Sequence, residues 1–317
     1  MTRHTSLAVA VALAAAVVTG CGTQTLVAGL LVGLPQVTYQ PPPPAPGVTL
    51  PQQTFGPYTL LTGAVFTIDT SDPTKIQDSK VTGVSGVNAS VNYRSCLTLT
   101  GAALGDCQAG TGGFDRVFAV KDQGSGLYAL NSSELPKDGP QFNFESGVRY
   151  TMVLEVPQCP DGKATCAPAD QTDVEAYGAS FKPGPAAQFK FANNTKLIDG
   201  YARGTPMTLT RSDAMVDGQF LPAFVLVAQL DPNDPGKIPA VTYTSLDYSD
   251  PKKLLLLALS DQPYRKASFD IPGRAFPSAG YFAVALLSVA EGKASANAFV
   301  GSTALAASGD AGLVIAQ

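Results

Sequence analysis

From about residue 57 onward the chain alternates apolar and polar positions in short runs. In "VNASVNYR" (87–94), Val87, Ala89, Val91 and Tyr93 fall on one face of an extended chain, and Asn88, Ser90, Asn92 and Arg94 on the other. "YTMVLEV" (150–156) repeats the pattern with Tyr150, Met152, Leu154 and Val156 inward. The stretches 116–120, 222–230, 253–259 and 281–289 also suit strands, some of them covered on both faces. Turn signals at Pro160-Asp161-Gly162, Lys182-Pro183-Gly184 and Pro272-Gly273 separate these runs, and no long stretch sustains helical periodicity. The pattern predicts an all-β chain of two β-sandwich domains, 57–187 and 188–317, divided near the Pro/Gly-rich "FKPGPAAQF" (181–189).

The first twenty residues carry a different pattern. A short basic start (Arg3, His4) leads into an apolar run from Leu7 to Val18 and then Thr19, Gly20 and Cys21. That is the layout of an export signal, and the run is too short to span a bilayer, which takes about 20 residues. Val18-Thr19-Gly20-Cys21 resembles the bacterial lipobox. The resemblance implies that residues 1–20 are removed and that Cys21 then carries diacylglycerol and an acyl chain. Each buried methylene contributes about 0.8 kcal/mol, so such an anchor holds permanently. Gly22, rather than Asp, after the cysteine is compatible with sorting to the outer membrane. Residues 21–56 read as a tether: an apolar stretch 26–34, expected to dock on the domain, and a proline run, Pro41–Pro44, within 35–55. At about 3.1 Å per residue in polyproline conformation, the tether reaches about 60 Å.

Removing Cys21 leaves Cys96, Cys107, Cys159 and Cys166, an even set in an exported chain. Proximity favours Cys96 with Cys107 and Cys159 with Cys166. The only histidine, His4, lies in the segment to be cleaved. The mature chain therefore has no imidazole, which excludes Ser-His-Asp, Cys-His and His-metal chemistry. Its charge of about −5 on few charged residues leaves no footprint for nucleic acid.

"GVSGVNASVNYR" (83–94), "VKDQGSGLYAL" (120–130) and "FESGVRYTMVLEV" (144–156) together resemble the carboxypeptidase-regulatory-like or transthyretin-like sandwich. Ala89 and Val91, Gly126 and Tyr128, and Gly147 and Tyr150 fill that family's places. The likeness covers about 75 residues and departs from the family at the Cys96–Cys107 insertion and at the long "NSSELPKDGPQFN" connection (131–143). It implies a non-catalytic accessory module. "FDIPGRAFPSAGYFAVALLSV" (269–289) resembles the E-to-F corner of an immunoglobulin-like sandwich, with Tyr281 as the corner tyrosine and Tyr150 in a similar structural role.

Asp161, Asp170, Asp173 and Glu175 surround the second cysteine pair and are a candidate for weak calcium binding, against a plain solvated acidic loop. "DTSDPTK" (69–75) and "DYSDPKK" (247–253) could meet a cation or partner in the same way, against plain Asp-Pro turns. "DPNDPG" (231–236) matches a calcium loop at its first, third and sixth positions but fails at Pro235 and Thr242, and reads as turn chemistry. Ser125 has no histidine to activate it, and no nucleotide or hydrolase motif occurs. No cofactor is called for. The reading is a lipid-anchored envelope protein, not an enzyme, that presents sandwich surfaces to a protein or polysaccharide partner. The alternatives are a small-ligand or calcium-dependent carbohydrate receptor and, third, a hydrolase built on two carboxylates. Replacing Cys21 by alanine moves the protein from the membrane to the soluble fraction; unchanged membrane retention on fractionation would count against the anchor.

Overall fold

A computed structural model describes residues 23–40, 52–69, 81–158, 173–192, 195–234, 237, 239–246, 264–299 and 302–317. The strands are β1 (Thr23–Leu34), β2 (Val37–Tyr39), β3 (Gln53–Phe55), β4 (Tyr58–Asp69), β5 (Val81–Gly83), β6 (Asn88–Tyr93), β7 (Arg116–Gly124), β8 (Leu127–Asn131), β9 (Tyr150–Gln158) and β10 (Asp173–Phe181) in the first part. They continue as β11 (Phe189–Lys190), β12 (Leu197–Tyr201), β13 (Met207–Arg211), β14 (Ala223–Leu230), β15 (Ala240–Thr244), β16 (Ser268–Ile271), β17 (Gly280–Glu291), β18 (Lys293–Ala294) and β19 (Thr303–Ala316). Among the described residues one α-helix, α1 (Gly101–Ala109), stops where Gly110 turns left-handed at φ 77° and returns its N–H to the carbonyls of Asp106 and Cys107. The predicted strand 253–259 and the turn 160–162 lie outside the described residues.

The all-β expectation holds, and the layers are sandwiches. The long sheet runs β15-β14-β17-β19-β1-β4-β8-β7-β6-β9-β10-β18, and it doubles over at β7. The first half of β7, Arg116–Val120, pairs with β6, while Lys121, Asp122 and Gly124 pair with β8 across a register shift. A bulge of that kind bends a strand, so one strand serves both layers. Ser125 and Gly126 then close the β7–β8 hairpin, both with positive φ (55° and 80°), so Ser125 is a turn residue. The residues predicted to point inward meet across the first sandwich. Val91, Tyr93, Tyr150, Met152 and Leu154 face Val27, Leu31, Leu61, Val65 and Tyr128 in one core.

The second sandwich stacks the β11-β13-β16 sheet on β14, β17 and β19. Phe189, Leu209 and Ile271 face Val225, Val284 and Val314. Arg211, its side chain fully buried, chelates Asp213 through two bonds (2.9 and 2.5 Å) and donates to the carbonyl of Leu221. Pairing and hydrogen bonding at both ends is what makes such a buried charge tolerable.

The two sandwiches share one sheet across the expected boundary. The apolar stretch 26–34 forms most of β1, the strand that joins them: antiparallel to β4 over its whole length and parallel to β19 from Ala28–Thr303 to Gly33–Ser308. Both its faces are buried, Val27 and Leu31 toward the first core and Leu26, Leu30 and Val32 on the reverse. The tether expected over 21–56 is therefore not a spacer for the body: β2 and β3 pair as a hairpin, and Val37, Tyr39 and Phe55 cover the reverse face beside Leu230 and Leu313. Residues 41–51 connect these two strands and lie outside the described residues. Tyr281, expected to bond back to its preceding loop, instead sets its ring against Tyr39 and Phe55 at 5.7 and 6.3 Å, because the hairpin covers that face.

Where β1 and β4 face the first core, Gly29 and Gly63 stand opposite each other. A Cβ on Gly29 would lie 2.5 Å from Cζ of Phe181, and one on Gly63 would lie 2.8 Å from Sδ of Met152. The missing side chains let the second layer lie directly on the backbone. Gly29→Ala accordingly destabilises the fold by about 1–3 kcal/mol, the usual range for overpacking, read as a lower urea midpoint at unchanged slope. Adding Phe181→Leu restores part of that loss; a neutral Gly29→Ala would show the approach to be looser than described.

Candidate functional site

An open cleft of about 680 Å³ lies where the far end of the first sandwich meets β19. Its floor comes from the end of β1 and the start of β4, and its wall from the segment that follows β8. Leu97, Ser132, Lys137, Asn143, Phe144 and Ser308 represent the chemistry lining it: apolar side chains, hydroxyls, an amide and one ammonium, with no carboxylate, thiol or imidazole among the described residues that line it. Phe144 can lie flat here because Gly33 carries no side chain; a Cβ there would fall 2.2 Å from the Phe144 ring.

The wall is irregular backbone held by buried groups. Tyr93 and Tyr150 are neighbours across β6 and β9, with ring centroids 4.6 Å apart, and Phe142 and Phe118 complete an aromatic cluster around them. The Tyr93 hydroxyl donates to the carbonyl of Gln141 and accepts from the N–H of Asn143, both at 3.2 Å. The Tyr150 hydroxyl donates to the carbonyl of Asn143 and accepts from the N–H of Glu145, both at 2.7 Å. Two phenols thus fix segment 141–145 at both edges of Asn143, whose own side chain stays exposed to the cleft. Burial raises both phenol pKa values above the usual tyrosine range, and the backbone N–H bonds offset only part of that shift. Nearer the turn, Gln141 Nε2 donates to the carbonyls of Pro136 and Gly139, each at 2.9 Å, closing the loop that carries Lys137.

The opposite lip depends on Glu145 and the disulfide. The buried Glu145 carboxylate accepts from the N–H of Cys96 and from Oγ of Ser95, both at 2.7 Å. Cys96 is bonded to Cys107 in α1, as expected, with Cα atoms 5.9 Å apart. Leu97 then projects into solvent with two thirds of its surface exposed, at the mouth of the cleft.

The other sequence candidates fall elsewhere. Cys21, Cys159, Cys166, Asp161 and Asp170 lie outside the described residues. Asp173 begins β10. Glu175 accepts from the Tyr177 hydroxyl and from Nδ2 of Asn297, both at 2.8 Å, so its oxygens are engaged. Among the described residues, no group of three His, Cys, Asp or Glu stands close enough to hold a metal ion. Asp231 accepts from the N–H of Asn233 at 2.9 Å, the bond of an Asx turn. The cleft was missed by motif reading, although its wall is the connection 131–143 that departs from the transthyretin-like pattern. No family model matches this chain, and no curated protein matches it either.

Replacing Tyr150 by Phe leaves the Glu145 N–H and the Asn143 carbonyl without their partner. It lowers stability by about 1–3 kcal/mol in urea unfolding and loosens the cleft wall. The raised phenol values also set a pH dependence. The unfolded chain releases these protons first, so their stabilisation is complete below about pH 10 and declines as pH rises further. Tyr177, pushed up to about 12 mainly by burial, adds to the decline. The fall should be shallower in Tyr150→Phe; equal slopes would mean that Tyr150 is not protected.

Proposed function

We propose that this chain is a non-catalytic, lipid-anchored protein of the bacterial cell envelope that binds a polysaccharide in the cleft beside segment 141–145. The observation that carries this reading is the cleft: it is open, its wall is fixed by buried hydrogen bonds, and hydroxyl, amide and ammonium groups are set beside Leu97 and Phe144. Apolar patches that stack on sugar faces, flanked by groups that donate to and accept from hydroxyls, suit a polyhydroxylated chain, and openness suits a polymer that passes through. A pre-formed wall lowers the ordering cost of binding. The absence of carboxylates among its described lining residues supports binding rather than two-carboxylate hydrolysis. The lipobox at 18–21 and the transthyretin-like likeness of the first sandwich support the anchor and the accessory role.

The test is calorimetric titration with polysaccharide extracted from the envelope of the producing bacterium. The parent protein binds and releases no new reducing ends, whereas Leu97→Ala combined with Asn143→Ala binds about tenfold more weakly, equivalent to about 1.4 kcal/mol. Unchanged affinity in that variant would remove the cleft from the proposal. Release of reducing ends would restore the hydrolase reading. Binding to no polysaccharide fraction would favour a protein partner instead.

A further inference from the structure

The structure holds an unexpected relation between the N-terminus and the cleft. Only Gly22 separates Cys21 from Thr23, the first residue of β1, so two peptide steps of about 3.8 Å bound their separation. The strand that begins there is the central strand of the shared sheet, paired along its whole length with β4. We propose that the lipid on Cys21 seats the N-terminal end of the first sandwich directly against the bilayer, and that the folded body, not the proline-rich segment, sets the distance between membrane and cleft. The inference rests on the lipid anchor proposed above and adds to it a membrane-facing surface and a direction.

Residue register supplies the direction. Gln24 pairs with Ile68, and Ile68 with Val81, so β4 and β5 reach the same end. Tyr177, three residues into β10 from the half-exposed Val174, lies beside Thr25, so the second layer also brings its β10 start there. Gly33 and Leu34, at the far end of β1, form the cleft floor. Ten residue steps from Thr23 to Gly33, at about 3.3 Å each, separate the membrane end from the cleft by about 33 Å. The second sandwich lies farther still. Five steps from Thr23 to Ala28, then thirteen from the paired Thr303 to Ala316, place the end of β19 about 60 Å from the anchor. The chain that carries the proline run leaves β1 at its far end, so it cannot lengthen the link to the lipid.

The experiment uses the lipidated full chain, purified from membranes in detergent and reconstituted into vesicles of phosphatidylethanolamine and phosphatidylglycerol that contain an acceptor-labelled lipid. Val81→Cys and Lys137→Cys, both at exposed positions, are each labelled with a donor dye without reduction, and the parent protein serves as the labelling blank. Energy transfer to the membrane is expected to be strong from position 81 and several-fold weaker from position 137. Weak transfer from both positions, with the protein still on the vesicles, would overturn direct seating. Strong transfer from both would overturn the end-on direction. Failure of the protein to associate with vesicles at all would instead refute the lipid anchor. A variant lacking residues 42–47 leaves both efficiencies unchanged if the body is the spacer.

Discussion

The rest of the structure depends on the parallel pairing of β1 with β19. It joins a strand at the start of the folded chain to the last one, and through it the sheet of the first sandwich becomes the sheet of the second. Neither strand is amphipathic, because both are covered on two faces. Val27 and Leu31 enter one core, Leu30 and Val32 another, and Ala306 and Ala307 divide in the same way on β19. Each large apolar side chain fully withdrawn from water contributes about 1.5–3 kcal/mol, so a strand with two buried faces contributes more per residue than any edge strand here. The pairing joins segments 275 residues apart in sequence, and non-local closure of that kind is slow to form.

Most of the β-architecture was legible in the sequence because most of the inward positions alternate with polar ones. Val91, Tyr93, Met152 and Leu154 could be assigned to a core without knowledge of their partners, and all are buried. β1 was not legible as a strand. "LVAGLLVGL" lacks alternation, follows an export-type leader and precedes prolines, and it reads as an apolar stretch docked on the domain, its two glycines unassigned. Those glycines are the places where Phe181 and Phe144 rest on the sheet. The corner tyrosines show the same limit. Tyr150 and Tyr281 occupy similar sequence contexts, yet one is bonded to a loop and the other covered by a hairpin that comes from far away in the chain.

The cleft was legible only in part. Its wall stood out as an oversized connection, but its floor comes from residues 33–34 and 58–59 and its far side from 308–309, segments that nothing in local pattern brings together. What makes it a defined surface is a division of labour between buried and exposed side chains. Tyr93, Tyr150 and Glu145 use their polar atoms on the backbone, which leaves Asn143 and Leu97 to face outward from fixed positions. A loop held this way behaves as part of the scaffold, its backbone already fixed by buried hydrogen bonds.

The lengthwise pairing of β1 with β4 has a mechanical consequence. Tension applied between the two ends of β1 runs along the strand axis, at right angles to the antiparallel hydrogen bonds of the β1–β4 ladder. The bonds are then sheared together and share the load, whereas a strand pulled from its side would lose them one after another. A ladder loaded in this direction withstands pulling far better than the same ladder opened from its edge.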